Sequence, residues 1–145
     1  MIDFSLITKG LQTLLREHPR LEYVTEVARG EYINVDPALC TWIGVYRGAF
    51  AIEPRTLGRG ADNWLARIPI DIVVQVNGDG GEDAETLLGV AVKDVLDVIV
   101  TDLTLGGTVD MVKEFSISYS YEKTASERLD FQWAIITLQT EVRSA

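Results

Sequence analysis

From Ala66 to Val76 the chain reads ARIPIDIVVQV, with Ala66, Ile68, Ile70, Ile72, Val74 and Val76 alternating against Arg67, Pro69, Asp71, Val73 and Gln75. Successive side chains of a strand point to opposite faces, so this phase predicts a strand with one face in the core and the other largely wet. Pro69 has no N–H to give to a ladder, which places it at an edge or in a bulge. The next stretch, VNGDGGEDAETLL, turns this strand into a helix from about Asp83 to Thr101, whose stripe is Ala84, Leu87, Leu88, Ala91, Val92, Val95, Val98 and Ile99.

That glycine-rich turn invites a ligand reading, and its residue types argue against one. A phosphate cradle needs positive charge near the glycines, yet no basic residue lies between Arg67 and Lys93. A calcium loop of the EF-hand type starting at Asn77 requires glycine at position 82 and glutamate at position 88, where this chain has Glu82 and Leu88. The carboxylates of Asp79, Glu82, Asp83 and Glu85 suit the positive end of a helix dipole instead. No metal or other cofactor is expected.

The rest of the chain is read in the same way. Asp3 to His18 has helical spacing at Phe4, Ile7, Leu11, Leu14 and Leu15, and Pro19 ends it. Arg20 to Asn34 is less regular; Leu39 to Tyr46, LCTWIGVY, reads as a strand. Arg47 to Asn63, with Gly48, Pro54, Gly58 and Gly60, reads as a long loop or hairpin tip. Leu105-Gly106-Gly107 stops the second helix. Two strands follow, one alternating through Phe115, Ile117, Tyr119 and Tyr121, the other through Leu129, Phe131, Trp133 and Ile135, joined across Glu122 to Arg128. Both rows are assigned to the core, although beyond Ile135 the apolar phase moves to Ile136, Leu138 and Val142, which implies a bulge or a strand covered on both faces. The expected fold is therefore α+β: one domain over residues 1–145, an antiparallel β-sheet of about four main strands with two helices on one face, in the order α-β-β-α-β-β. Ile70, Ile72, Val95, Phe131 and Trp133 are expected in its core.

Catalytic chemistry finds little to stand on. His18 is the only histidine, and its place in the last turn of a helix suits the dipole as well as it suits a general base. Cys40, the only cysteine, has no histidine near it in sequence and there is no Gly-x-Ser-x-Gly elbow. The carboxylates fall on a turn and on a solvated helix face. No enzyme is expected. With 22 acidic and 13 basic residues, the formal charge of -9 opposes general binding to nucleic-acid backbones. Neither a signal peptide nor a membrane span is indicated, so the chain reads as soluble, made in the cytoplasm and without a membrane partner.

The arrangement as a whole resembles the tail terminator proteins of long-tailed bacteriophages, also called tail-to-head joining or tail completion proteins. The resemblance covers nearly the full chain and lies in LITKGLQTLLREHP, CTWIGVYRG, RIPIDIVVQV with its acidic helix start, and the closing pair FSISYSY and LDFQWAIITLQTEV. It implies a structural virion protein at the head-proximal end of the tail. Such a subunit forms a ring, typically a hexamer, on the tail tube protein, stops tube growth and presents a surface to a head-side connector protein, with DNA only passing through the channel. A ring joins two different patches of one subunit. Arg55 and Arg59 on one side and Asp79, Glu82 and Asp83 on the other are the expected pair, and Trp64, at the end of the long loop, is the expected interface anchor. The alternatives are another head-tail connector or tail tube protein, and a small-ligand-binding or acid-base enzyme domain, which would need a pocket around His18 or the carboxylates.

Overall fold

The computed structural model describes residues 3–29, 41–54, 64–78, 81–123 and 130–143. Its centre is the alternating strand. β4 (Trp64–Gly78) pairs antiparallel with β2 (Thr41–Arg47) on one side and with β6 (Asp130–Arg143) on the other. β5 (Met111–Lys123) pairs antiparallel with β6 and forms one outer edge; β1 (Glu26–Arg29) pairs parallel with β2 and forms the other. A short β3 (Ile52–Pro54) joins the start of β4, so the sheet order is β1-β2-β4-β6-β5, with β3 on β4 outside that path.

This corrects the expected architecture. Among the described residues there are six strands in one mixed sheet, where an antiparallel sheet of four main strands was expected. The two missed strands are three and four residues long. β1 buries only Val27, too little for an alternation to register, and β3 lies in the Gly- and Pro-bearing stretch expected to be loop. Pro69 explains part of the layout. β2 stops pairing with β4 at Ile70 and β3 begins at Ala66, so on that side Pro69 faces a gap where no N–H is needed, and its carbonyl accepts from the Gly48 N–H at 2.8 Å.

Both helices lie on the side of the sheet that carries the apolar row of β4. α1 (Ser5–Glu17) sets Ile7, Leu11 and Leu15 over β1 and β2; α2 (Gly81–Thr101) sets Leu88, Ala91, Val92, Val95, Val98 and Ile99 over β4 and β6. Asp3 starts α1 by accepting from the Ser5 N–H at 2.9 Å and the Ser5 hydroxyl at 2.7 Å. Pro19 ends it by holding His18 extended, at ψ 129°. The His18 ring then accepts from the Arg20 N–H at 3.2 Å, capping a single 3-10 turn at Pro19–Leu21. That turn is tied to α2 by Arg20 to Asp97 at 2.6 Å and by the Tyr23 hydroxyl to Asp94 at 2.8 Å. Burial, together with the Asp94 carboxylate beside it, pushes the Tyr23 hydroxyl above its ordinary range.

α2 ends at Thr101, as its periodicity implied, five residues before Gly106, the first of the glycines expected to stop it. Asp102 does the work: its carboxylate accepts from the Thr104 hydroxyl at 2.5 Å, the Gly106 N–H at 2.9 Å and the Thr104 N–H at 3.0 Å. These bonds, the Thr104 hydroxyl foremost, hold its carboxyl below the usual range. Leu105, Gly106 and Gly107 follow with φ of 51°, 75° and 80°, a tight left-handed turn that drives the Leu105 side chain into the core at 0% exposure.

Ile70, Ile72 and Val95 are fully buried, as expected. Trp133 is not a core residue beneath the helices. It is half-buried on the opposite face of the sheet, in a row with Gln75 and Trp42. That face is less wet than alternation implied: Trp42, Leu65 and Gln75 are buried, and the Trp42 ring covers Gly44 so closely that a Cβ there would run into it. Phe131 has no described side chain.

Two outcomes follow from the turn after α2. A Cβ on Gly10 of α1 would sit 2.7 Å from the Leu105 carbonyl oxygen and 2.7 Å from the Thr108 methyl. Helix propensity favours alanine over glycine by about 1 kcal/mol, but a backbone oxygen cannot swing aside, so Gly10→Ala should lower stability by about 1–3 kcal/mol in urea unfolding. A gain would show the turn to be compliant. For Asp102, a folded pKa below the unfolded value adds stability that is present above about pH 3.8 and lost as pH falls through the folded value. Asp102→Ala should therefore unfold more readily than wild type at neutral pH, and the gap between the two should close in acid.

Candidate functional site, an unroofed apolar strip on the outer strand

The described carboxylates that have partners face cations, hydroxyls or backbone N–H groups. Asp71 accepts from the Thr137 hydroxyl at 2.7 Å. Glu141 on β6 stands among Arg143 at 3.4 Å, Lys113 at 3.6 Å and Arg67 at 3.9 Å, while Arg67 also reaches Glu53 at 3.4 Å. Asp110 accepts the Arg143 N–H at 2.6 Å, so acid and base balance in this cluster. Among the described residues, no three His, Cys, Asp or Glu side chains are placed to hold a metal ion. No helix among them is long and apolar enough to cross a membrane.

Of the residues expected at an interface, Arg55, Arg59 and Asp79 lie outside the described residues. Glu82 and Asp83 fall in the first turn of α2, where only their backbone is described. Trp64 opens β4, half-buried, with its ring edge-on to Phe4 at 5.9 Å; Phe4 in turn stacks at a tilt on Phe50 at 4.8 Å. The structure does not bring Trp64 together with the acidic pair. Trp64 opens β4, whereas Glu82 and Asp83 follow the far end of that strand.

Among the described residues, β5 carries exposed large apolar side chains at Met111, Ile117 and Tyr119. The register sets Phe115 opposite Leu138, Ile117 opposite Ile136 and Tyr119 opposite Ala134. Directly opposed residues share a face, so all six point to the helix side of the sheet. Leu138, Ile136 and Ala134 have 0% exposure, whereas Ile117 is 40% and Tyr119 61% exposed. This overturns the expectation for Ile117 and Tyr119, which lie outside the core, whereas Phe115 is half-buried and packs against it. The reason is width. Five strands at about 4.8 Å span some 24 Å, and two helices of about 10 Å each roof only four of them. α1 covers β1 and β2, α2 covers β4 and β6, and β5 is left outside.

The side of α2 nearest this strip is also open. Helical spacing puts Gly89, Leu96 and Val100 on one flank; Val100 is 61% exposed and nothing lies within 4 Å of a Cβ built on Gly89. The result is an apolar ledge floored by β5 and walled by α2. Sequence reading missed it because alternation reports that a strand has an apolar face, not whether anything covers that face. The usable signal was the phase of β6, since Ile136, Leu138 and Val142 already supplied a core row and left the outer strand surplus.

No protein-family model and no curated protein matches the chain. Among solved structures it is similar to a chain of one titled "Virion of native gene transfer agent (GTA) particle", at 12% identity and a TM-score of 0.43, over 92% of this chain and 93% of that one. A likeness of that size says nothing of this chain's role.

The ledge predicts an asymmetry across one register pair. Ile136→Ala should cost about 2–5 kcal/mol, as for a large-to-small change in a packed core. Ile117→Ala, its direct neighbour, should cost less than about 1 kcal/mol in the same urea titration of dilute protein. Equal losses would mean that β5 is roofed.

Proposed function

We propose that this chain is a structural subunit of a tailed virion, assembling with copies of itself into a ring that caps the tail tube, halts its growth and offers a surface to the head-side connector. The observation that carries this reading is the ledge on β5, because exposed large apolar side chains in a row beside a strand edge that no other described strand pairs are what a subunit keeps for assembly. The resemblance of the sequence to tail terminators supplies the kind of assembly. Arg55 and Arg59 of one subunit against Asp79, Glu82 and Asp83 of the next, with Trp64 as an anchor, supply a head-to-tail contact of the sort a closed ring needs. A formal charge of -9 suits a channel past which DNA slides without sticking.

The test is electron microscopy of growing tail tubes with the purified protein added. Wild-type protein should cap the tubes and fix their length; a tube protein would lengthen them instead, which would sink the terminator reading. The double variant Ile117→Glu, Tyr119→Glu should leave tubes uncapped while its unfolding midpoint stays within the range of surface changes, about 0.5 kcal/mol. Normal capping by this variant would remove the ledge from the assembly surface.

A further inference from the structure

The two edges of the sheet are not alike. On β1 the edge is only four residues long, and α1 attends to it: Gln12 and Arg16 both donate to the Val27 carbonyl, at 2.9 and 2.8 Å. The β5 edge is 13 residues long. Among the described residues, β5 bonds beyond β6 through the Val112 N–H to the Leu103 carbonyl, at one end of the strand. From Phe115 to Tyr121 the strand has no proline, no glycine and no charge, the devices by which edges are commonly blunted.

We propose that in the free protein this edge is occupied by β5 of a second copy, antiparallel across a two-fold axis at Ile117. The sequence around that point, Phe115-Ser116-Ile117-Ser118-Tyr119, is nearly its own mirror. With Ile117 on the axis, Phe115 stands opposite Tyr119 of the second copy and Ser116 opposite Ser118, so aromatic meets aromatic and hydroxyl meets hydroxyl. Charge disfavours the neighbouring register: moving the axis to Ser118 would set Glu114 opposite Glu122, like against like, whereas the Ile117 axis sets Glu114 opposite Ser120. The β1 edge is a poor alternative partner, being short and already engaged by α1. Such a dimer covers the strand proposed for ring assembly, so it holds the free subunit in a closed state that opens before assembly. It does not depend on the ring reading, because it concerns the purified protein alone.

Sedimentation over a micromolar to millimolar range should show wild-type protein passing from monomer to dimer, and Ile117→Lys, which sets two ammonium groups face to face on the axis, should remain monomeric. Register is read by cross-linking in a Cys40→Ala background. Ile117→Cys should oxidise to a covalent dimer, since opposed Cα atoms stand about 4.5–5.5 Å apart, within disulfide reach. Ser118→Cys should not, because the two copies of that position lie roughly 8 Å apart in this register. Wild-type protein that stays monomeric throughout, equal cross-linking at both positions, or a ladder of higher species would each overturn the proposal. Failure to cap tubes by a protein that forms this dimer would reject the ring reading and leave the dimer standing.

Discussion

The fold hangs on the burial of one side of β4. Ala66, Ile68, Ile70, Ile72, Val74 and Val76 all have 0% exposure, and the strand carrying them has neighbours along both edges. A buried aliphatic side chain contributes about 1.5–3 kcal/mol relative to an exposed one, so this row is a large share of what opposes chain entropy. The two helices are amphipathic to match it, and their stripes meet β4 and its neighbours in one cluster. β4 also fixes where the flanking strands stop, since the proline within it leaves a gap between β2 and β3.

A second constraint is the mismatch between the sheet and its roof. Two helices cover four strands, and of the fifth only the first part, at Val112 and Phe115, meets the core in the described fold. A monomer would ordinarily put polar residues on such a strand, yet this one has Phe115, Ile117 and Tyr119 on its helix side and serines at Ser116 and Ser118 on the other. Exposed apolar surface costs free energy in water and favours contact with another copy. The same geometry thus supports both proposals made for this protein, assembly into a ring and pairing of free subunits, without requiring any reaction chemistry.

Charge plays a smaller and more local part. The ion pairs of Glu141 with Arg67, Lys113 and Arg143 join a largely covered carboxylate to solvent-exposed cations at 3.4–3.9 Å, and exposed partners of this kind contribute little to stability. Asp102 matters more because it satisfies backbone and hydroxyl donors at once, and so sets the turn that carries Leu105 inward and brings Thr108 against Gly10 of α1. A short left-handed turn thereby fixes how the end of α2 meets the first helix.

The sequence alone determined both helices, the long central strand and the hairpin of β5 and β6, because each rests on a local period repeated over seven or more residues. It also gave the apolar row of β5 by residue number. Three things were decided only in three dimensions. β1 and β3 are too short to show a period, and they exist because β2 and β4 offer them edges. Trp133 lies on the face away from the helices because the core row of β6 is Ala134, Ile136 and Leu138, a choice between phases that pairing with β4 settles. Ile117 and Tyr119 of the β5 row are exposed because their strand is outermost: alternation sorts side chains between two faces, whereas burial depends on what lies above a face, and that is a property of the layers and not of the strand.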